Sequence, residues 1–473
     1  MTSIRFGTDG WRAVIAEDYT FSNLLVVAQA TANYLQQSGK ASRGLVVGYD
    51  TRFLSDRFAT TVAEVMAGNG VPVWLFNQPE PTPVASYTIL VKQAAGNVII
   101  TASHNPYYYN GYKVRPEYAG AASPEIIAAI EQNVVEVQAS GRIQRLPLAE
   151  AERRGLVQRL DPRPAYVQQI ERLVDLDRLR RAGLTIVADA MFGAGAGYLH
   201  ALLSGGKTRV IEIRNVRNPL FPGINPEPIP ANLEALMEAV RERRADVGLA
   251  TDGDADRIGV VDERGTFINQ LQVYALLLLY LLRVREERGA AVRSVTSTIM
   301  ADILGEQYGI PVIETPVGFK YIGPKMVETN AIMGGEESGG FAFRGHIPER
   351  DALLAGLYLL DLMVSLQRPM SGVVEFLREQ VGAWYYDRLD IHFSPEQRQA
   401  VLERLERAHP ERADGVRIVD VVTRDGFKFV LEDRSWFLIR PSGTEPLLRI
   451  YAESTSPERV ERLINLGRQM AGV

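Results

Sequence analysis

No cysteine occurs among the 473 residues. That absence removes disulfide frameworks, thiol nucleophiles and cysteine-ligated zinc together, and it suits a cytoplasmic setting. Nor does one sign of charge dominate: 52 basic residues face 57 acidic ones, for a formal net charge of -5. A surface for nucleic acid or an anionic membrane needs a local basic excess, and the short arginine clusters at 178–181 and 241–244 fit solvated helix faces better. The opening Met1-Thr2-Ser3-Ile4-Arg5-Phe6-Gly7 lacks the apolar centre of a signal peptide. The strongest apolar run, residues 273–282, is shorter than the ~20 residues of a membrane span, so it reads as a buried helix.

What remains is an ordinary globular mixture, 46% hydrophobic and 23% charged. At ~150 residues per domain the length gives about three units, or four small ones, with room for a cleft between them. Strands expected near 44–49, 71–76 and 97–100 alternate with helices that start near Ser22 and Ser55, the pattern of an α/β layer with a mostly parallel sheet. A polar stretch at 152–164, carrying Pro162 and Pro164, is expected as a linker. A second round places strands at 184–190, 209–213 and 246–250 around a helix at 232–244. A third uses strands at 294–299, 311–314 and 331–333. Beyond Pro369 the pattern turns to strands near 385–393 and 427–432 with helices at 395–409 and from Pro457, a smaller α+β unit. The division drawn is 1–155, 156–262, 263–369 and 370–473.

In open α/β sheets ligands gather at the carboxyl ends of strands. Four polar loops stand in such places. Thr101-Ala102-Ser103-His104-Asn105-Pro106 puts a serine and a histidine after an apolar strand, with Lys113 a short way on; the ordinary role of a loop serine is to bond its own backbone. No Gly-x-Ser-x-Gly elbow surrounds it, which disfavours an esterase triad. In Thr251-Asp252-Gly253-Asp254-Ala255-Asp256-Arg257, alternate carboxylates of an extended segment share one side. Three converging anions call for a cation, and oxygen-only ligands favour magnesium where a phosphate completes the shell. An EF-hand is set aside because Arg257 stands where its turn needs glycine; a structural acidic turn stays open. Gly334-Gly335-Glu336-Glu337-Ser338-Gly339-Gly340 offers Glu336 and Ser338 to sugar hydroxyls, or is a solvated turn. Arg440-Pro441-Ser442-Gly443-Thr444 combines a guanidinium, two hydroxyls and glycine-opened N–H groups, a phosphate cradle or a hairpin turn.

Taken together with the opening Phe6-Gly7-Thr8-Asp9-Gly10-Trp11-Arg12, these loops resemble, in order and along essentially the whole chain, those of the α-D-phosphohexomutase family. The resemblance implies three related mixed α/β domains plus a smaller α+β C-terminal domain around a central cleft. It implies an isomerase that interconverts hexose 1- and 6-phosphates through a phosphoserine and a 1,6-bisphosphate intermediate, with glucose 1,6-bisphosphate as activator. Residue by residue, Ser103 would carry the phosphoryl group and, with Asp252, Asp254 and Asp256, bind Mg2+. Arg12, His104 and Lys113 would surround the transferring group. Arg257, Lys320, Glu336, Ser338 and Arg350 would face the sugar, and Arg440, Ser442, Gly443 and Thr444 the phosphate that does not react. Thr315-Pro316-Val317-Gly318-Phe319-Lys320, Glu337 and His346-Ile347 look like the glucose-preferring, phosphoglucomutase branch, whereas Gly339-Gly340 departs from the Ser-Phe-Gly form of many of its members.

The expected partners are therefore small sugar phosphates, with no nucleic acid and no membrane, and a monomer or homodimer in the cytoplasm. A glucose-1,6-bisphosphate synthase, a phosphomannomutase or a phosphoglucosamine mutase would carry the same loops. A serine phosphatase and a binding protein without chemistry are the other readings. The bisphosphate must turn end over end between two transfers, so the C-terminal domain is expected to open and close as a lid. Lys113 is a candidate general base only if its charged form is disfavoured, and His104 is the other candidate.

Overall fold

The computed structural model describes residues 4–392, 395–408, 410–441 and 447–472. Four sheets follow one another along the chain, three of them mixed and the last antiparallel.

The first sheet contains β1 (Trp11–Val14), β2 (Leu45–Tyr49), β3 (Val73–Phe76), β4 (Gly96–Ile100), β5 (Tyr109–Pro116) and β6 (Val157–Leu160), in the order β1-β5-β4-β2-β3-β6. Strand β6 pairs in parallel with β3. The stretch expected as a linker thus holds the edge strand of the first sheet, because Val157 is an apolar anchor that the two prolines do not interrupt. The second sheet is built from β7 (Thr185–Asp189), β8 (Arg209–Ile213), β9 (Val247–Thr251), β10 (Ile258–Asp262) and β11 (Phe267–Ile268), ordered β11-β10-β9-β7-β8. The third contains β12 (Ala291–Ser294), β13 (Val312–Thr315), β14 (Met333–Gly335) and β15 (Phe341–Phe343), ordered β13-β12-β14-β15.

A single plan underlies all three. A parallel trio, β4-β2-β3, β9-β7-β8 or β14-β12-β13, places the third strand of the trio beside the first. That third strand then turns back as an antiparallel hairpin, into β5, β10 or β15. Each hairpin turn is one of the polar loops singled out by sequence: Ser103 between β4 and β5, the aspartates between β9 and β10, Glu336 between β14 and β15. Three topologically equivalent corners therefore carry the nucleophile candidate, the carboxylates and the sugar reader.

The fourth sheet, β16 (Tyr385–His392), β17 (Arg412–Ala413), β18 (Val416–Val422), β19 (Phe427–Leu431), β20 (Trp436–Pro441) and β21 (Leu447–Ser454), has the order β16-β21-β20-β19-β18-β17. Its core is its own, with Phe429 stacked on Phe437 and the helix Pro457–Ala471 packed over it. The helix Met370–Val381 belongs elsewhere: Met370, Val373 and Phe376 sit in the central core with the helices Gln270–Arg283 and Ala352–Leu366. The change of pattern expected at Pro369 therefore falls one helix early.

The apolar run 273–282 lies within Gln270–Arg283 and is buried throughout. Among the described residues no helix is long and apolar enough to cross a membrane. Two local readings are corrected. Thr20, not Ser22, caps the first helix, accepting from the Asn23 N–H at 3.2 Å. The strand expected at 294–299 ends at Ser294, because residues 295–299 leave the sheet to meet the fourth domain.

Candidate active site

Ser103 follows β4 at the end of a strand buried on both faces and is itself 1% exposed. Its φ of +52° lies in the left-handed region, which a side chain adopts at a cost of order 1–3 kcal/mol unless its surroundings enforce it. The Thr101 hydroxyl accepts from the Ser103 N–H at 2.8 Å and helps to enforce it. The Ser103 hydroxyl donates to Asp252 Oδ2 at 2.7 Å and lies 3.3 Å from His104 Nδ1. Gly253 makes this approach possible, since a Cβ there would stand 2.4 Å from the Ser103 carbonyl oxygen.

Asp252, Asp254 and Asp256 are fully buried, and one oxygen from each lies within 4.8 Å of the others. Asp252 Oδ1 accepts from the backbone N–H groups of Asp256 and Arg257 at 2.9 and 3.0 Å. Asp254 Oδ1 and Asp256 Oδ1 are buried and have no hydrogen-bond partner. Burial and the two neighbouring carboxylates push the Asp252 carboxyl well above its ordinary value. Orphaned, mutually repelling oxygens with no nitrogen or sulfur among them are the donor set of a hard divalent cation, so these residues fit magnesium. Thr82, from the first domain, donates to Asp254 Oδ2 at 2.5 Å and aims that carboxylate.

Strand β5 presents Lys113 and Arg115, two residues apart and therefore on one face. Lys113 Nζ lies 2.7 Å from Asp254, 3.0 Å from Asp256 and 3.0 Å from Asp9. Burial opposes the ammonium, but these carboxylates outweigh it and hold the lysine above its ordinary value. The charged form of Lys113 is therefore favoured, the opposite of the condition a general base there requires. His104 shifts the other way, well below its usual value, through loss of water and the charges of Arg257, Arg12, Lys113 and Arg52. Arg12 donates to Asn105 Oδ1 at 2.7 Å and to the Ala102 carbonyl at 3.3 Å, so it braces the serine loop.

Asp9 was passed over in the sequence although it stands in the opening glycine loop. Its carboxylate meets Lys113, Arg115 at 2.7 Å, Arg350 at 2.8 Å and Arg12 at 3.5 Å. Arg115 and Glu349 pair closely. Arg350, expected on the substrate, is 4% exposed and engaged by Asp9, by Asp256 at 2.9 Å and by Glu349 at 3.0 Å. Its guanidinium ties the third domain to the first two instead of facing the cleft freely. His346 likewise lies inward: its Nε2 is 2.9 Å from Asp351, which also accepts from the Tyr166 hydroxyl at 2.7 Å and from the Leu354 N–H at 3.0 Å.

Glu336 is buried, 3.9 Å from Arg350, and burial pushes its carboxyl up to about 7. Ser338 lies two residues on in the same turn and is half-buried. The turn is locked by Gly339, at φ +90°, whose carbonyl accepts from the Ile258 N–H at 3.0 Å. Glu337 accepts from Thr296 at 2.5 Å and Ser294 at 3.3 Å. Arg257 lies 3.5 Å from Glu227 and is 13% exposed. Lys320, on the first turn of the helix Phe319–Thr329, lines a small cavity with Thr8, Asp9 and Arg115. Arg440, near the end of β20, donates to Asp425 at 2.9 Å, and Asp425 in turn accepts from the Val317 N–H at 2.9 Å. Ser442, Gly443 and Thr444 lie outside the described residues.

This geometry gathers a serine, a hard-cation site and fixed positive charge at one point, the equipment for moving a phosphoryl group. Family comparison agrees along the chain. The phosphoglucomutase/phosphomannomutase α/β/α domains I, II and III match residues 3–140, 164–265 and 269–380, and the C-terminal domain of that family matches 397–465. A "Probable phosphoglucosamine mutase" of Pyrococcus horikoshii is 32% identical over 462 residues, 97% of this chain and 96% of its own. A "Phosphoglucomutase/phosphomannomutase" of Thermococcus kodakarensis is 29% identical over 462 residues, 98% of this chain and 97% of its own. The crystal structure of a Thermus thermophilus protein, assigned there as a phosphomannomutase, superposes with a TM-score of 0.86 at 36% identity over the whole of both chains. The chain belongs to the phosphoglucomutase/phosphomannomutase family. Its activity is that of a phosphohexomutase, an isomerase that acts by intramolecular phosphotransfer.

Proposed function

We propose that the chain interconverts a hexose 1-phosphate and the corresponding 6-phosphate, with glucose as the preferred sugar, by passing a phosphoryl group through Ser103. The observation that carries this reading is the 2.7 Å contact between the Ser103 hydroxyl and Asp252, beside the partnerless oxygens of Asp254 and Asp256. Mg2+ held by Asp252, Asp254 and Asp256, with the serine's phosphate as a further ligand, would supply charge neutralisation for the phosphoryl oxygens.

The chain's own residues do the rest. Arg440, with the loop at 442–444, grips the substrate's existing phosphate and presents the far hydroxyl to phosphoserine 103. The bond from phosphorus to the serine oxygen breaks as the bond to the sugar oxygen forms; the sugar hydroxyl loses its proton and the serine oxygen regains one. Lys113 and Arg12 remain charged beside the transferring group, and burial makes those charges effective. Glu336, with a carboxyl titrating near neutrality, can accept from or donate to a sugar hydroxyl, and Ser338 offers a second contact. The resulting 1,6-bisphosphate turns over and returns its other phosphoryl group to Ser103. Glucose 1,6-bisphosphate would prime an unphosphorylated chain in the same way. Soluble sugar phosphates are the partners this chemistry needs, in the cytoplasm.

The preference for glucose draws on Glu337 and the 315–320 loop, whereas the relatives bear the names of three sugars. The test supplies the protein with Mg2+ and a trace of glucose 1,6-bisphosphate and compares isomerisation of glucose, mannose and glucosamine phosphates, with Ser103→Ala alongside. Fastest turnover on glucose phosphate, abolished in the variant, is expected. Faster turnover of another sugar would reassign the substrate. Release of free bisphosphate from a separate donor would make the chain a synthase, and release of inorganic phosphate a phosphatase.

A further inference from the structure

We propose that Arg52 is a positioning residue that holds Ser103 in its reactive conformation. The inference rests on the reading of Ser103 as the phosphoryl acceptor and adds a residue that touches none of the reacting atoms.

Arg52 is fully buried at the carboxyl end of β2, in Asp50-Thr51-Arg52. An arginine is seldom taken wholly out of water, and when it is, its donors must be met. Here they are met almost entirely by main-chain carbonyls of one short segment. Nη2 donates to the carbonyls of Ser103 at 2.6 Å and Asn105 at 2.5 Å, and Nη1 to those of Pro106 at 2.8 Å and Tyr109 at 3.1 Å. Nε lies 3.3 Å from Asp50 Oδ2. From the second domain, the Phe221 ring covers the guanidinium at 5.1 Å, and Arg217 donates to the Thr51 and Arg52 carbonyls at 3.2 and 3.3 Å.

The consequence for Ser103 is geometric. Its positive φ is unfavourable alone, and relaxing it would rotate the Ser103–His104 peptide and draw the carbonyl off Arg52. The same carbonyl is the atom against which Gly253 of the aspartate loop is packed. One guanidinium thus fixes the peptide whose side chain faces Asp252. A flat fork of five donors can span four carbonyls; an ammonium on a flexible stem cannot hold them in one plane.

The experiment uses the full chain with Mg2+ and compares Arg52→Lys and Arg52→Met with wild type and Ser103→Ala. It measures kcat and KM on hexose phosphate, the rate of phosphoryl incorporation at Ser103 from glucose 1,6-bisphosphate, and amide exchange over residues 103–110. Displacing a reacting group by about 1 Å costs on the order of 100-fold. The expected result for Arg52→Lys is therefore a fall of that order in kcat and in incorporation, KM within about threefold, and faster exchange confined to 103–110. If Arg52→Met does not fold, Arg52→Lys decides. Unchanged kcat in a folded variant, or a loss that only tracks the unfolded fraction, would overturn the proposal. Turnover retained by Ser103→Ala would instead sink the underlying reading, so the two failures are distinguishable.

Discussion

The surroundings of Ser103 and of Arg440, the two ends of the proposed reaction, are built on different lines. Around Ser103 the charges come from three domains, are buried, and interlock: Asp9, Lys113, Arg115, Glu349, Arg350 and Asp256 contact one another in a closed set. Around Arg440, among the described residues, Asp425 is the carboxylate that pairs with the guanidinium. Phosphoryl transfer needs fixed charge in a dry setting, where each interaction is strong. A grip that must release a bisphosphate and take it back reversed needs fewer, more accessible contacts. On the proposed mechanism, the interlocked charges fall beside the serine that would carry the phosphoryl group.

The fourth domain is docked on the third. Lys428 donates to the Val295 carbonyl at 2.8 Å and to Glu314 at 2.9 Å. Glu453 accepts from Thr298 at 2.5 Å, the Ile299 N–H at 2.8 Å and Trp436 at 2.7 Å. A lid that opens at this edge must break these bonds or carry residues 295–299 with it, and the helix Met370–Val381 stays behind with the central core.

The largest test of the contrast removes the nucleophile: Ser103→Ala should lower kcat by at least about 10^4-fold while leaving sugar phosphate binding intact by calorimetry. Next, Asp254→Asn should cost about 10^2- to 10^3-fold in kcat, and the thermal stabilisation that added Mg2+ gives the wild type should vanish. At the other end, on the proposed mechanism, Arg440→Ala removes a charge-assisted phosphate contact made before and during transfer. KM should rise roughly 10- to 100-fold with kcat nearly unchanged; a loss confined to kcat would erase the distinction between the two ends. The smallest effect on turnover concerns the dock, where stability is read instead. Burial, aided by Arg293, lowers Lys428 from 10.5 to about 8. Between those values the unfolded chain holds a proton that the folded chain has released, so stability should rise as pH climbs from about 8 towards 10.5, by on the order of 3 kcal/mol. Lys428→Met should flatten that rise in denaturant melts.

The contrast also explains what could be read from residues alone. Ser103 and the three aspartates were legible because each occupies one hairpin turn of local grammar, strand then polar loop. The equivalence of the three corners was not, since it lies in strand order and not in shared residues. Asp9 and Arg52 escape a reading of residues for another reason: most of their partners lie more than 50 positions away in chain numbering, as in the Arg52–Ser103 and Asp9–Arg115 contacts. The one local hint was their place, in a glycine-bounded loop and at a strand end. Arg350 shows the converse. A cation near a sugar loop suggests substrate, yet Asp9 and Asp256 claim it once the domains meet. Residues 294–299 look like a strand because of their β-branched content, but contacts with the fourth domain override that preference.

The most direct test of the central claim is to incubate the dephosphorylated protein with glucose 1,6-bisphosphate and Mg2+ and locate the transferred group by peptide mass spectrometry. One phosphoryl group on Ser103, removed again by excess hexose monophosphate with formation of bisphosphate, is the predicted result. A fully active protein that carries phosphate on another residue, or on none, would contradict the account.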